Sequence, residues 1–262
     1  MMPVHGPTSR RFPEPSAART GSSTGINGGS GHTACAAPPR FQEEALTTRA
    51  IAFVFIAAAI AAAGTLPGCV QNSKTAWEIV PGRRLGALNL SDSERDLGAR
   101  YGAQNVRHVT VSLGEGEAVS GTLLYPEDPE KRVEIVWMNA TARRYPMHAI
   151  LRGTRSRWTL PRGITLGTTL ADLERLNGRP FTMAGFGWDY SGAVTDWEGG
   201  ALSSILKGRA WLYLEPAPGK DQDPSFAQVQ GDRDISSTSP AMRALEPRIT
   251  RIRVSLAEPR RN

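Results

Sequence analysis

The chain has 262 residues, with 31 lysines and arginines against 25 acids and a net charge of +6, which is room for one large or two small domains and only a mild basic bias. The basic residues are not interleaved with stacking aromatics, even in the C-terminal "RITRIRVSLAEPRRN", so a nucleic-acid partner is excluded and that stretch reads as a solvated strand face and tail. The only two cysteines, Cys35 and Cys69, supply no disulfide framework, and the fold must rest on its core.

Residues 1–48 are rich in Pro, Gly, Ser, Thr and Ala. Such a segment buries too little apolar surface to offset its chain entropy, so disorder is expected there. Arg10 and Arg11 in "SRRF" suggest a twin-arginine signal but stand far upstream of any apolar core. An export segment fits residues 49–69: Arg49 precedes an unbroken apolar run of fourteen residues, Ala50 to Ala63. A membrane span needs about 20 such residues, and 10–14 suit a signal core. Its distance from Met1 leads to the expectation that translation starts downstream, with Leu46 as an alternative initiation codon and residues 1–48 untranslated. A retained membrane anchor and a buried core helix are the rival readings of the run.

Leu66, Gly68 and Cys69 resemble the lipobox of bacterial lipoproteins, with Pro67 where the pattern has a small residue. The resemblance implies acylation of Cys69 and a partner in the membrane itself through that lipid anchor. Val70 follows the cysteine in place of the Asp associated with inner-membrane retention, so the outer membrane, facing the periplasm, is the expected location.

The remainder reads as two tandem repeats, 70–153 and 154–262. Trp77, Gly82, Leu85 and Gly86 recur at Trp158, Gly163, Leu166 and Gly167, all offset by 81 residues. Each set precedes a capping box, Ser91 with Glu94 and Thr169 with Asp172, in which hydroxyl and acid satisfy free amides at a helix start. Each helix closes at a glycine, Gly102 or Gly178. Leu97 with Tyr101, and Leu170 with Leu173, are spaced to share a helix face. Strand patterns follow: "NVRHVTVSL", "VSGTLLY" and "RVEIVWM", then "FTMAGFG", "DYSGAVTDW", "RAWLYLE" and "RITRIRVSL". In the last, Ile249, Ile252 and Val254 alternate with Arg248, Arg251 and Arg253, with a slip near Thr250. Residues 216–241 read as a long polar loop, and "SPAMRAL" as one helical turn. The expected class is α+β, each half a short helix packed on a small antiparallel sheet.

The short helix ending in a glycine turn, as in "PRGITLGTTLADLERLNGRP", resembles the small lipoprotein domain of the outer-membrane assembly component BamE and the tandem halves of β-lactamase inhibitor proteins. It is also similar to bacterial lipoproteins that have no assigned activity. The resemblance implies protein binding in the cell envelope, without catalysis.

Reaction motifs are absent: there is no Gly-x-Ser-x-Gly elbow, no His-Glu-x-x-His, no Cys-x-x-Cys and no phosphate loop. His108 and His148 sit in strand patterns with no nucleophile placed beside them. Asp221 and Asp223 fall far short of a calcium ligand set. No cofactor and no metal are expected. The densest cluster of recognition chemistry is "GFGWDYSGAVTDWEGG". Trp188, Tyr190 and Trp197 beside Asp189 and Asp196 could bind a glycan, rings on sugar faces and acids accepting hydroxyl hydrogens. Hydrolysis by Asp189 and Asp196 would need carboxyls about 5–5.5 or 6.5–9.5 Å apart. Seven residues apart on one extended strand they would be roughly 23 Å apart, and only a turn between them could bring them together. The plainer reading is a hairpin, with Trp188, Tyr190 and Val194 on its buried face and Asp189, Ser191 and Thr195 outside.

Overall fold

The computed structural model describes residues 76–114 and 116–257; Cys69, the apolar segment 49–69 and residues 1–48 lie outside the described residues. Among the described residues, no helix is long and apolar enough to cross a membrane. The fold is α+β and mostly sheet. Three two-residue strands, β1 (Ile79–Val80), β2 (Arg84–Leu85) and β3 (Leu88–Asn89), form a small antiparallel sheet. Helix α1 (Glu94–Tyr101) follows, then a meander of β4 (Val106–Gly114), β5 (Glu117–Leu124), β6 (Val133–Asn139) and β7 (Arg144–Arg152). The second half runs α2 (Leu170–Asn177), β8 (Thr182–Ala184), β9 (Val194–Asp196), α3 (Ser203–Leu206) and β10 (Ala210–Glu215). It then adds α4 (Ser225–Gln228), β11 (Asp234–Ser236), α5 (Pro240–Ala244) and β12 (Arg248–Ser255). The stretch read from sequence as a polar loop therefore carries α4 and β11.

The halves do not keep separate sheets. Six antiparallel strands run in the order β10-β12-β7-β6-β5-β4, and β12 of the second half pairs with β7 of the first. Ala149 and Leu151 on β7 and Ile252 and Val254 on β12 face one core. Pairing them removes two exposed edges that would otherwise invite aggregation. A further sheet, β11-β8-β9, adjoins β10 through an antiparallel bridge between Ala193 and Tyr213. The slip read near Thr250 is a bulge: the β10–β12 register shifts between Tyr213 and Leu214, leaving Thr250 unpaired on β12.

Both helices start on a hydroxyl cap, one of them two residues later than the sequence suggested. Ser93, not Ser91, caps α1: Ser93 Oγ accepts from the Asp96 amide at 3.4 Å, and Asp96 accepts from the Ser93 amide at 2.8 Å. Glu94 is thereby released for another role. It accepts from Thr122 Oγ1 on β5 and pairs with Arg143 at 2.7 Å, and the buried Trp137 Nε1 donates to Thr122 Oγ1 at 2.8 Å. This chain of polar contacts fastens α1 to the sheet. Thr169 caps α2 as read, accepting from the Asp172 amide at 3.1 Å, and Gly178 ends that helix in the left-handed region, with φ of 74°.

One face of the large sheet holds the main core. Leu97 of α1, Leu170 and Leu173 of α2 and Met242 of α5 pack there against Ile135, Leu151, Leu212 and Ile252. Trp158 is fully buried, its ring 4.9 Å edge-on from Trp77 and its Nε1 donating to the Lys131 carbonyl at 2.6 Å. Val111, Val136 and Ile150 form a separate small cluster on the opposite face. Gly121 of β5 lies against it: a Cβ there would meet the Ile135 carbonyl and Val111 Cγ2, each at 2.7 Å.

Candidate functional site

The segment from Phe186 to Trp197 is a hairpin arm only at its end, where β9 pairs with β8, and does not carry the alternation expected through Trp188 and Tyr190. Residues 187–192 form consecutive turns, with the Ser191 amide donating to the Trp188 carbonyl at 2.8 Å and the Ala193 amide to that of Tyr190 at 2.9 Å. These reversals break the period of two, so Trp188, Tyr190 and Val194 do not share a buried face. Trp188 is 62% exposed, Asp189 is exposed and Tyr190 half-buried, while the buried aromatics are Phe186 and Trp197. Phe186 stacks on Phe226 at 5.9 Å, and Trp197 packs on Phe181 at 5.3 Å. The expected buried role of Trp188 is thus corrected, and Trp197 is withdrawn from any ligand surface.

The loop is nonetheless fixed at its base. The Phe186 amide donates to the Val229 carbonyl at 2.9 Å, Gly231 donates back to Phe186 at 3.0 Å, and Leu214 donates to Gly192 at 2.9 Å. At Gly192, φ is +66° and a Cβ would sit 1.9 Å from the Leu214 carbonyl oxygen, so no side chain fits against β10. Asp196 stands apart from the tip. It accepts from Lys207 Nζ at 2.8 Å and from the Glu198 amide at 2.6 Å, and the Lys207 bond, followed by that amide, holds its carboxyl below the usual range. A carboxylate so engaged is a structural ion-pair partner.

A second surface was not recognised from sequence. The face of β10, β12 and β7 opposite the main core carries Trp211 and Tyr213, then Arg251 and Arg253, then His148 and Arg152, as the strand registers require. The helices pack on the other side; on this face Ile150 of β7 is buried with Val111 and Val136, while Trp211, Tyr213, Arg251 and Arg253 on β10 and β12 are half-buried. The Arg251 guanidinium lies 3.6 Å from the Tyr213 ring centroid and that of Arg253 5.4 Å from Trp211. Arg152 is neutralised by Glu134 at 3.1 Å and also donates to the Ser112 carbonyl at 2.6 Å. His148 is 5% exposed, with Nε2 3.0 Å from Arg253 Nη2 and its ring 6.2 Å from Trp211. Burial, and after it the Arg253 charge, pushes its pKa from 6.5 down to about 4. Neutral His148 accepts a hydrogen bond from Arg253 and fixes that guanidinium. The signal was present in two strands: "AWLYLE" puts its aromatics opposite its aliphatics, and "RITRIRVSL" does the same with arginines. Only pairing the two strands makes one surface of them.

A cleft of about 490 Å³ lies between the start of α2 and the α5–β12 corner, with Thr169, Glu174, Arg243 and Arg248 on its walls. Its two acids are both engaged: Glu174 accepts from Ser237 Oγ at 2.6 Å and from Arg243 at 2.7 Å, and Glu246 pairs with Lys220 at 3.6 Å and Arg248 at 3.9 Å. Among the described residues, no group of three or more His, Cys, Asp or Glu side chains is placed to hold a metal ion. His108 on β4 has Ser120 Oγ 3.5 Å from its Nε2, on an exposed surface.

No protein-family model, curated protein or solved structure matches this chain.

Proposed function

We propose that this is a lipid-anchored, non-catalytic binding module of the cell envelope, built from two tandem repeats, that docks a protein on the open face of β10, β12 and β7. The observation that carries the reading is the half-exposed β10–β12 part of that face, where Trp211 and Tyr213 stand against two arginines. Aromatic and Arg side chains are enriched at protein contacts, because both offer large area and fixed geometry.

Local equivalences support duplication. Glu78 and Thr159, again 81 apart, lie side by side in a parallel bridge. The helix caps Ser93 and Thr169 bridge Arg144 and Arg248, the first residues of β7 and β12. The pairs Val136–His148 and Tyr213–Arg251 stand at corresponding places, each directly beside a bulge. With β9 bridged to β10, each half contributes a four-stranded meander, β4 to β7 and then β8, β9, β10 and β12, joined at β7–β12. Strand β11 is an addition lying within the second half.

Anchoring rests on the sequence around Cys69. Each buried CH₂ contributes about 0.8 kcal/mol, and two acyl chains suffice for stable attachment. Metabolic labelling with an alkyne fatty acid is expected to mark the wild type and not Cys69→Ala; equal labelling of both removes the anchor from the proposal. Docking is tested by photo-crosslinking from position 211 or 213 in intact cells, with position 175 on the exposed side of α2 as control. A discrete adduct from the sheet positions alone is expected, and identical patterns from all three would refute the face as a contact surface. A glycan at Trp188 is the second reading, favoured by an exposed ring on a loop fixed at its base. Glycan binding that vanishes in Trp188→Ala, with sheet crosslinks absent, would put it first.

A further inference from the structure

The open face carries an imbalance of charge. Three arginines project from adjacent positions on β12 and β7: Arg251, Arg253 and Arg152. Arg152 has Glu134 as its counter-ion, whereas among the described residues neither Arg251 nor Arg253 has a carboxylate within ion-pair distance. Both are half-buried, so water screens them less than it would a surface arginine. Their partners are the rings of Tyr213 and Trp211 and the neutral His148, and the one carboxylate that acts on Arg251, Glu215, does so from beyond ion-pair distance, so the pair keeps an excess of positive charge.

From this imbalance we propose that the partner docked on this face is a protein segment bearing carboxylate side chains, and that Arg251 and Arg253 receive two of them. The proposal rests on the reading of this face as a docking surface and specifies the chemistry of what docks. Three features fit it. A guanidinium stacked on a ring uses its π face and leaves in-plane N–H donors for a bidentate carboxylate. Arg253 already spends one donor on His148, which orients the rest. The two arginines are two residues apart on one strand, roughly 7 Å along it, a separation matched by acids two apart on an extended partner or about one turn apart on a helix. An anionic bilayer fits less well. The rings of Trp211 and Tyr213 stand against the arginines and are half-buried, and of the exposed large apolar side chains Met138 and Trp188 stand on none of the three strands, while Tyr145 is at the start of β7, at the opposite end from Arg152.

The test uses the full chain and a fluorescein-labelled hexaglutamate peptide, read by fluorescence anisotropy at low ionic strength, with hexaglutamine as control. Wild type is expected to bind hexaglutamate and not hexaglutamine. The double variant Arg251→Gln/Arg253→Gln is expected to lose at least about tenfold in affinity, as removal of two charge-assisted contacts implies. Arg251→Lys/Arg253→Lys, which keeps charge and loses the fork, should fall between them. It also guards against a folding artefact, as does a matched melting curve for each variant. A control that removes two exposed arginines elsewhere, Arg157→Gln/Arg175→Gln, should bind as wild type does. Equal losses in both Gln pairs, or unchanged binding in the Arg251/Arg253 pair, would overturn the proposal. So would stronger binding to phosphatidylglycerol vesicles than to hexaglutamate, if abolished by the same pair. Sheet-position crosslinks that persist in the double Gln variant would sink the acid chemistry and leave the docking face standing. Absence of any crosslink in the wild type would sink the docking face instead.

Discussion

Trp158→Ala is expected to destabilise the protein by about 3–5 kcal/mol, a large part of the 5–15 kcal/mol that holds a typical domain folded. Trp188→Ala is expected to leave the melting temperature nearly unchanged. Trp158 is fully buried, packs edge-on against Trp77, and donates through Nε1 to the Lys131 carbonyl. Truncation would open a ring-sized cavity and leave that carbonyl without its donor. The damage would not stay local. Trp158 follows the β7 end of the meander and flanks the bridge between Glu78 and Thr159, where the first and second halves run side by side. Trp188 is 62% exposed at the tip of a loop held by backbone bonds that do not use its ring. Thermal melts of the two variants decide the matter. A large drop for Trp188→Ala with none for Trp158→Ala would contradict the assignment of core and surface.

The two tryptophans also show how far the sequence could be read. Trp158 was legible through its recurrence with Trp77 ahead of a capped helix, and the class, α2, most of the longer strands and the bulge at Thr250 followed from local patterns. Trp188 was misjudged because alternation was extended across "GFGWDYSG", where turn formers at Asp189, Ser191 and Gly192 reverse the chain. Those residues can be read either as strand or as turn, and only the contact of Gly192 with Leu214 decides. The cap at α1 was misplaced for a similar reason. Ser91 and Ser93 both stand three residues before an acid, and the choice depends on Glu94 finding Thr122 and Arg143 across the sheet. The joint sheet and its arginine–aromatic face were out of reach, because β7 and β12 are a hundred residues apart and nothing in either strand names the other.

Lowering the pH from 7.0 to 4.5 is expected to cost the wild type about 2–3 kcal/mol through His148 alone. Its ordinary pKa of 6.5 becomes about 4 in the folded protein, first because the ring is buried and then because the Arg253 guanidinium stands against it. The unfolded chain therefore takes up a proton that the folded one refuses. This contribution to stability is complete above pH 6.5, shrinks as the pH falls below it, and is lost by about pH 4. The side chains that meet the ring are Arg253 from β12, which opposes protonation, and Trp211 from β10, which carries no charge; Val136 is its register partner on β6. Asp96, Asp172 and Asp196 have carboxyls held below their usual range by hydrogen bonds, so their losses come at lower pH and do not fill this window. His148→Gln keeps an acceptor for Arg253 and removes the titration. Urea denaturation at pH 7.0 and 4.5 should then show a drop smaller by about 2–3 kcal/mol in the variant than in the wild type. Equal drops would mean that His148 is solvated in solution, and that Arg253 is held by something other than a neutral imidazole.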